Sequence, residues 1–533
     1  MKTVETDVLV IGAGVAGAAV ALHLARERGR QITLITREAD PEESATRHAQ
    51  GGIATVGPAD SRDLFVEDVV RAGAGLSLRP AVEVLAAEGP PLVEEILIKD
   101  AGVPFDRTPE RSLRLTREGG HSVARVLHVR DRTGAAIAHG LHELLLRFPN
   151  VRVVTQATAV DLITFPHHAR DPLTVYAPIT CHGAYVLDQR TGEVHPHLAG
   201  VTVLATGGLG RIYRHTTNPS GARGDGLAMA HRAGARAINC EYVQFHPTSL
   251  AVPEGENFLI SEAVRGEGGQ LLTPDGEPFM DRYAPGWGAL APRDVVARAI
   301  HEEMTVHGYP HVLLDVSKVS HFADRFPTIH ACCQDVGVNA PSNPIPVVPA
   351  AHYFCGGIWT DEWGRTTVRN LYAVGEVACT GIHGANRLAS TSLLEGLAMG
   401  DRTGRDIARA CPRPIRAADI PPWEPAPDGA PADPALLHRD WRTVQYTMWY
   451  YVGLARDAHH LSRALRDLRH LSEGVGEFYR RARLDDALLG LRNGVQAAIL
   501  VAEAAWHNRT SRGVHFRTDE RSGIGSEAGV RWG

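Results

Sequence analysis

The sequence predicts an α/β protein: a discontinuous Rossmann-like domain, interrupted by an α+β capping domain and closed by a C-terminal helical domain. Three observations lead there. Residues 7–11 (Asp-Val-Leu-Val-Ile) form an apolar run that enters a glycine turn and then an Ala/Leu/Arg helix to about Arg28. After a mixed, loop-rich stretch, the short strand 371–374 ends in Gly375-Glu376 and returns to the style of the N-terminus. Prolines then crowd residues 412–434, and helical periodicity resumes from Trp441 to about Ala505.

Taken in order, residues 31–36 supply a second strand and complete a βαβ unit. Helical patterns dominate 60–150, and β-rich runs occupy 151–205. Between 236 and 349 the pattern is broken by Pro-Asp-Gly at 274–276 and by a proline-dense run at 341–349. The expected organisation is a dinucleotide-binding domain in two parts (1–235 and 350–411) and a capping domain (236–349). A proline-rich linker (412–434) and a helical domain with an irregular tail (435–533) follow.

A chain of 533 residues exceeds one hydrophobic core, which agrees with several domains. Its formal charge of −6 argues against a nucleic-acid binder that works by bulk attraction. Lys2, Lys99 and Lys318 are the only lysines, so arginine supplies the other 52 of 55 basic residues, and a single arginine carries little information. Seven cysteines make no C-x-x-C pair or metal-like spacing, so no metal is expected and the thiols read as reduced and cytoplasmic. No stretch approaches a membrane span, and the first apolar run is too short for a signal peptide.

Gly12-Ala13-Gly14-Val15-Ala16-Gly17 follows a strand and opens a helix. The first glycine allows the tight turn, the second lets backbone approach a pyrophosphate, and the third permits close helix–strand packing. The helix N-terminus adds unpaired N–H groups and partial positive charge. The second strand ends in Thr36-Arg37 with Glu38 following, so the usual ribose-binding acid is displaced or absent. A small polar loop (Thr46-Arg-His-Ala-Gln-Gly-Gly52), Ala205-Thr-Gly-Gly208, Gly224-Asp225-Gly226 and Gly375-Glu376 follow. In that order around an insertion, they point to one flavin dinucleotide, FAD, gripped by a discontinuous domain. The chemistry is expected between that domain and the insertion. Candidates there are His246, Ser261, Glu262, Arg293, His352 and Arg387, and two arginines with two histidines would clamp a dicarboxylate.

These residues carry a resemblance. Ala49-Gln-Gly-Gly52, Gln244-Phe-His-Pro-Thr248, Glu262-Ala-Val-Arg-Gly-Glu-Gly268, Ala291-Pro-Arg-Asp294, Ala351-His-Tyr-Phe-Cys-Gly-Gly357 and Gly384-Ala-Asn-Arg-Leu-Ala-Ser390 together resemble the succinate dehydrogenase/fumarate reductase flavoprotein superfamily. Three places select the branch that oxidises L-aspartate. Succinate dehydrogenases carry a flavin-linking histidine five residues before the loop glutamine, and Ala45 stands there. His48 is at the wrong offset to replace it, so the resemblance implies non-covalent FAD. Leu115-Thr-Arg-Glu-Gly-Gly-His-Ser122 is similar to that branch's substrate loop, in which Glu118 would meet the substrate ammonium. Met448-Trp-Tyr-Tyr-Val-Gly-Leu454 is similar to the branch's helical-domain pattern. Thr391 departs from the expected asparagine, and Ser261 stands where threonine is common.

The resemblance implies oxidation of L-aspartate to iminoaspartate, with dioxygen or fumarate as acceptor. Quinolinate synthase would be the functional partner, at the entry to NAD biosynthesis. His246, His352 and Arg387 would bind carboxylates, Ser261 would add a hydrogen bond, and Arg293 would serve proton transfer. The implied cofactor contacts are Gly12, Ala13, Gly14, Val15, Ala16, Gly17, Arg37, Ala45, Thr46, Arg47, His48, Ala49, Gln50, Gly51, Gly52, Asp225, Glu376, Ser392 and Leu393. The rival readings are a soluble fumarate reductase, a flavoprotein subunit of a succinate dehydrogenase-type complex, and a non-catalytic flavin-binding sensor or scaffold.

Overall fold

In the computed structural model the described residues are 3–27, 29–252, 257–421, 423–425 and 429–519. Parts of the expected cap (253–256), linker (422 and 426–428) and tail (520–533), with Arg28 at the expected helix end, lie outside them. Strand β1 (Val4–Ile11) has Val8, Leu9 and Val10 fully inaccessible, as a strand covered on both faces requires. The chain turns at Gly12 into α1 (Val15–Arg26) and returns as β2 (Ile32–Ile35), parallel to β1. β3 (Val151–Val154) adds in parallel beyond β2. β5 (Thr180–Asp188) runs antiparallel to both β4 (Ala157–Phe165) and β6 (Glu193–Leu204), and β6 lies parallel to β1. The order across the sheet is β3-β2-β1-β6-β5-β4.

After α2 (Asp225–Arg232) the chain builds a second, antiparallel sheet. Its strands are β7 (Val243–Leu250), β8 (Gln270–Leu272), β9 (Val312–Asp315) and β10 (Ile345–Phe354), in the order β7-β10-β9-β8. Helix α3 (Arg293–His307) packs on it, and Leu250, Phe279, Ile300, Phe322 and Val347 share a separate apolar cluster. Residue 349 falls inside β10. That strand starts in the second cluster at Ile345 and ends in the first at Phe354, so one rigid element ties the two sheets. β11 (Leu371–Ala373) then re-enters the first sheet beside residues 202–204 of β6, past the part of β6 that pairs with β5.

Helix α4 (Ser392–Arg409) lies so close on α1 that a Cβ added to Gly400 would fall 2.6 Å from the Ala16 carbonyl oxygen. The proline-rich stretch runs against the C-terminal helices, where Ala430–Pro431 pairs with Ala482–Arg483. Those helices are α5 (Pro434–Tyr451), α6 (Ala458–Arg481) and α7 (Asp486–His507). The start of the tail is irregular but anchored: Val514, His515 and Arg517 are buried, and Arg517 Nη1 donates to the Ala505 carbonyl at 3.0 Å. Among the described residues no helix is long and apolar enough to cross a membrane.

Candidate active site

The turn after β1 works only with glycine. Gly12 has φ +115°, and a Cβ there would lie 2.1 Å from the Ala205 carbonyl oxygen, where β6 ends beside β1. A Cβ on Gly17 would meet the Gly12 carbonyl at 2.0 Å, so Gly17 sets the helix against the turn rather than lining the cavity. The N-terminus of α1 opens into the principal cavity, and the Val15 N–H donates to Thr46 Oγ1 at 3.0 Å, which holds the 44–52 loop over it.

One cavity runs from Gly12–Ala16 past Thr36, Arg37 and Glu38 and along the 43–52 loop to Asp225, Glu376, Ser392 and Leu393. Its far end is walled by Glu118, His246, Ser261, Glu262, Arg293, His352 and Arg387. All the expected site residues line it except Gly17 and Arg47. Arg47 points outward to Asp40 at 2.8 Å. His48 is exposed and bonded to Glu43, while Ala45 stands on the wall with no side chain able to form a link. Glu38 reaches the cavity three residues beyond the end of β2, next to Arg37, which it pairs with; Arg37 also meets Asp486 at 3.0 Å.

Two acids face the middle of the cavity. Glu376 is half-buried and accepts the Phe354 N–H at 2.9 Å; loss of solvent around it pushes its carboxyl up to about 7 against the pull of that N–H and of Arg387. A Cβ on Gly208 would fall 2.2 Å from its Oε1. Asp225 starts α2, and Asn493 Nδ2 of α7 donates to its Oδ1 at 2.8 Å, with Arg223 on its other oxygen at 3.0 Å. The C-terminal domain thus orients a residue of the cofactor cavity. Buried Gln50 Oε1 has no partner within the described residues, as expected of a group that meets a ligand.

At the far end a small antiparallel sheet carries the 115–122 loop to the 46–54 loop: Leu115–Thr116 pairs with Val126–Leu127, which pairs with Ile53–Ala54. Glu118 therefore lies against Gly51, where a Cβ would be 2.7 Å from Glu118 Oε1. Ser390, in the left-handed region at φ 58°, donates its hydroxyl to Glu118 Oε2 at 2.6 Å. Burial first and then Glu262 push the Glu118 carboxyl above its ordinary value, opposed by Ser390, Arg293 and Arg387.

Arg293 opens α3, and its Nε donates to Glu262 Oε2 at 2.7 Å and its Nη1 to Gln244 Oε1 at 3.2 Å. Glu262 is buried, yet Arg293 and Arg265 outweigh that and bring it down to about 2. His246 on β7 and His352 on β10 face each other with ring centroids 5.0 Å apart. Burial, with Arg293 close to both, holds their imidazoles well below the ordinary histidine value, so both are neutral. Thr217 Oγ1 sits 2.7 Å from His352 Nδ1, and the Thr248 N–H sits 3.2 Å from His246 Nδ1. With the Thr217 hydroxyl donating, the His352 Nε2–H is left to donate to a ligand, whereas His246 Nδ1 also lies 3.0 Å from the Thr248 carbonyl, to which it can donate instead. Arg387 is buried, donates to Ser392 Oγ at 2.8 Å, and has no carboxylate partner among the described residues. Ser261 caps the 262–266 helix, accepting the Ala263 N–H at 3.3 Å. Thr391 turns its hydroxyl to the Leu388 carbonyl at 2.7 Å, away from the cavity. Gln244, Arg265, Ser390 and Thr217 join the site as supports. The first three lie inside motifs readable in the sequence, whereas Thr217 and Asn493 carry no local signal.

The chain matches the FAD binding domain family over residues 7–393 and the fumarate reductase flavoprotein C-terminal family over 441–523. It is 44% identical to L-aspartate oxidase 1 of Ralstonia nicotianae, over 96% of this chain and 95% of that protein. It is 43% identical to L-aspartate oxidase of Halobacterium salinarum, over 97% of each. The chain belongs to the L-aspartate oxidase family. FAD is accordingly its cofactor. Among solved structures, E. coli quinol fumarate reductase superposes with a TM-score of 0.88 at 27% identity, over 99% of this chain and 94% of that one. Mycobacterium smegmatis Sdh1 does so at 0.79 and 30%, over 98% and 90%. The chain shares its overall architecture with these flavoproteins.

Proposed function

We propose that this chain oxidises L-aspartate to iminoaspartate at the far end of the cavity, with FAD held non-covalently. The carrying observation is Glu118, a buried carboxylate beside two histidines and two arginines. A site for two carboxylates gains nothing from a third acid on its wall. An α-ammonium gives that acid a partner, and burial makes the pairing discriminating.

Bound FAD supplies the two-electron chemistry, accepting hydride from the substrate α-carbon and passing electrons to dioxygen, giving peroxide, or to fumarate. The phosphates fit the 12–16 turn and the α1 N-terminus, Glu38, Asp225 and Glu376 suit hydroxyls, and Gln50 and residues 392–393 border the ring region. Ala45 and the outward pairing of His48 support a non-covalent flavin. Arg387, the His352 Nε2–H and the His246 ring receive the substrate carboxylates, with Ser261 alongside. Glu118 holds the ammonium. As the Cα–H bond breaks, the nitrogen gives up a proton so that C=N forms, and the cationic Arg293 relays it only by yielding one of its own protons to Glu262 Oε2, 2.7 Å from its Nε, as it takes up the substrate's. Residues 236–349 act as a cap that excludes water from this end.

We place the reaction in the cytoplasm at the first step of NAD biosynthesis, with quinolinate synthase consuming the imine. A peroxide assay tests the reading: L-aspartate should generate peroxide in aerated buffer and succinate should not. Peroxide from succinate alone would overturn it.

A further inference from the structure

Arg387 presents a problem. A guanidinium this buried ordinarily sits against a carboxylate, yet among the described residues its polar contact is Ser392 Oγ and its Nε has no partner. What lies beneath it is an aromatic face: the guanidinium carbon is 4.5 Å from the centroid of the Tyr353 ring. The Tyr353 hydroxyl donates to Glu395 Oε2 at 3.0 Å. Glu395 also accepts from Thr380 Oγ1 at 2.6 Å and meets His383 Nε2 at 2.7 Å, and the His383 ring stands edge-on to Tyr353 at 5.1 Å. Arg387, Tyr353, Glu395, Thr380 and His383 are all buried, and Glu395 lies in the first turn of α4, three residues after Ser392.

We propose that Glu395 is a positioning residue for substrate binding, acting on Arg387 through the Tyr353 ring. The inference rests on the reading that Arg387 receives a substrate carboxylate. A carboxylate in direct contact would occupy the guanidinium fork and compete with the substrate. Set behind the phenol, the same charge still offsets the buried cation while leaving its donors open. A phenol that donates to a carboxylate also carries more electron density on its ring, which strengthens attraction for a cation over the face. Burial alone would push the Glu395 carboxyl up, but His383 and the two hydroxyls hold it below its ordinary value, so it is ionised at neutral pH. Its place in the first helical turn favours the same state.

The test uses purified FAD-loaded enzyme with Tyr353→Phe, which keeps the ring and loses the hydroxyl, Glu395→Gln, and the double variant. Succinate affinity is read from the flavin absorbance change, and KM and kcat for L-aspartate from peroxide release. Each single variant should raise the succinate Kd and the aspartate KM by about tenfold. The kcat should move less than about threefold, and the double variant should be no worse than Glu395→Gln alone. Should Glu395→Gln fail to fold, Tyr353→Phe carries the test. Unchanged Kd and KM in Tyr353→Phe, with only thermal stability or FAD content lowered, would make the network purely structural and overturn the proposal. Additive losses in the double variant would overturn action through the tyrosine. A wild-type enzyme that binds neither ligand would instead remove the carboxylate-binding reading itself, and this inference with it.

Discussion

Replacing Glu118 with glutamine removes one buried negative charge and keeps its shape. In the unliganded site Glu118 is held by Ser390 at 2.6 Å, and glutamine can still accept that hydroxyl, so the wall should stay in place. What disappears is the charge-assisted bond to the substrate ammonium, worth about 1.5–3 kcal/mol. At about 1.4 kcal/mol per factor of ten, kcat/KM for L-aspartate should fall roughly 10- to 150-fold. Succinate and fumarate have no ammonium and should bind as well or better, because the change removes a repulsive charge. A pH signature accompanies this. Glu118 titrates above the ordinary carboxylate value, mainly through burial and Glu262. As pH rises through that point Glu118 ionises, so L-aspartate affinity should rise and succinate affinity fall, and Glu118→Gln should flatten both slopes. Flavin-perturbation titrations with both ligands at several pH values read the effect. Equal losses for L-aspartate, succinate and fumarate would refute the reasoning.

Other consequences follow from the cofactor cavity. Asn493→Ala should raise the FAD Kd about tenfold by freeing Asp225, measured by flavin fluorescence on the FAD-free protein, and an unchanged Kd would separate α7 from cofactor binding. Gly12→Ala combines a left-handed φ with a 2.1 Å approach to backbone, so about 1–3 kcal/mol of overpacking and a similar strain should strip FAD and lower Tm; FAD content and thermal melts check this. Glu376 is pushed from 4.5 up to about 7, so its contribution to stability is full at low pH and is lost as pH rises through about 7. The Tm gap between FAD-free wild type and Glu376→Gln should therefore shift against the wild type over that window, and a constant gap would contradict it. Acid precipitation should release flavin into the supernatant, and colour retained in the pellet would contradict the non-covalent assignment.

How far the sequence reached depended on whether a signal was local. The turn at Gly12–Gly17 was legible because backbone proximity excludes a side chain at Gly12 and Gly17, and the steric distances bear that out for those two positions, while a Cβ on Gly14 would meet Thr46 Oγ1 at 3.2 Å. The clamp residues were legible as motif members, but nothing in their spacing gives the opposed histidines or the absence, among the described residues, of a carboxylate on Arg387. Those depend on β7 pairing with β10, where His246 lies opposite Ala350. The proline-dense run at 341–349 read as loop but enters a central strand, because its alternate apolar residues Ile345 and Val347 are buried in the second core. The reach of Asn493 to Asp225 spans 268 positions, and no pattern along the chain announces it.

The central claim is that the cavity selects an amino acid over the dicarboxylate it otherwise resembles. Mixing FAD-loaded enzyme anaerobically with L-aspartate or with succinate, and following flavin absorbance, tests it most directly. The account predicts rapid bleaching by L-aspartate and only a spectral perturbation by succinate. Bleaching by succinate with none by L-aspartate would contradict it.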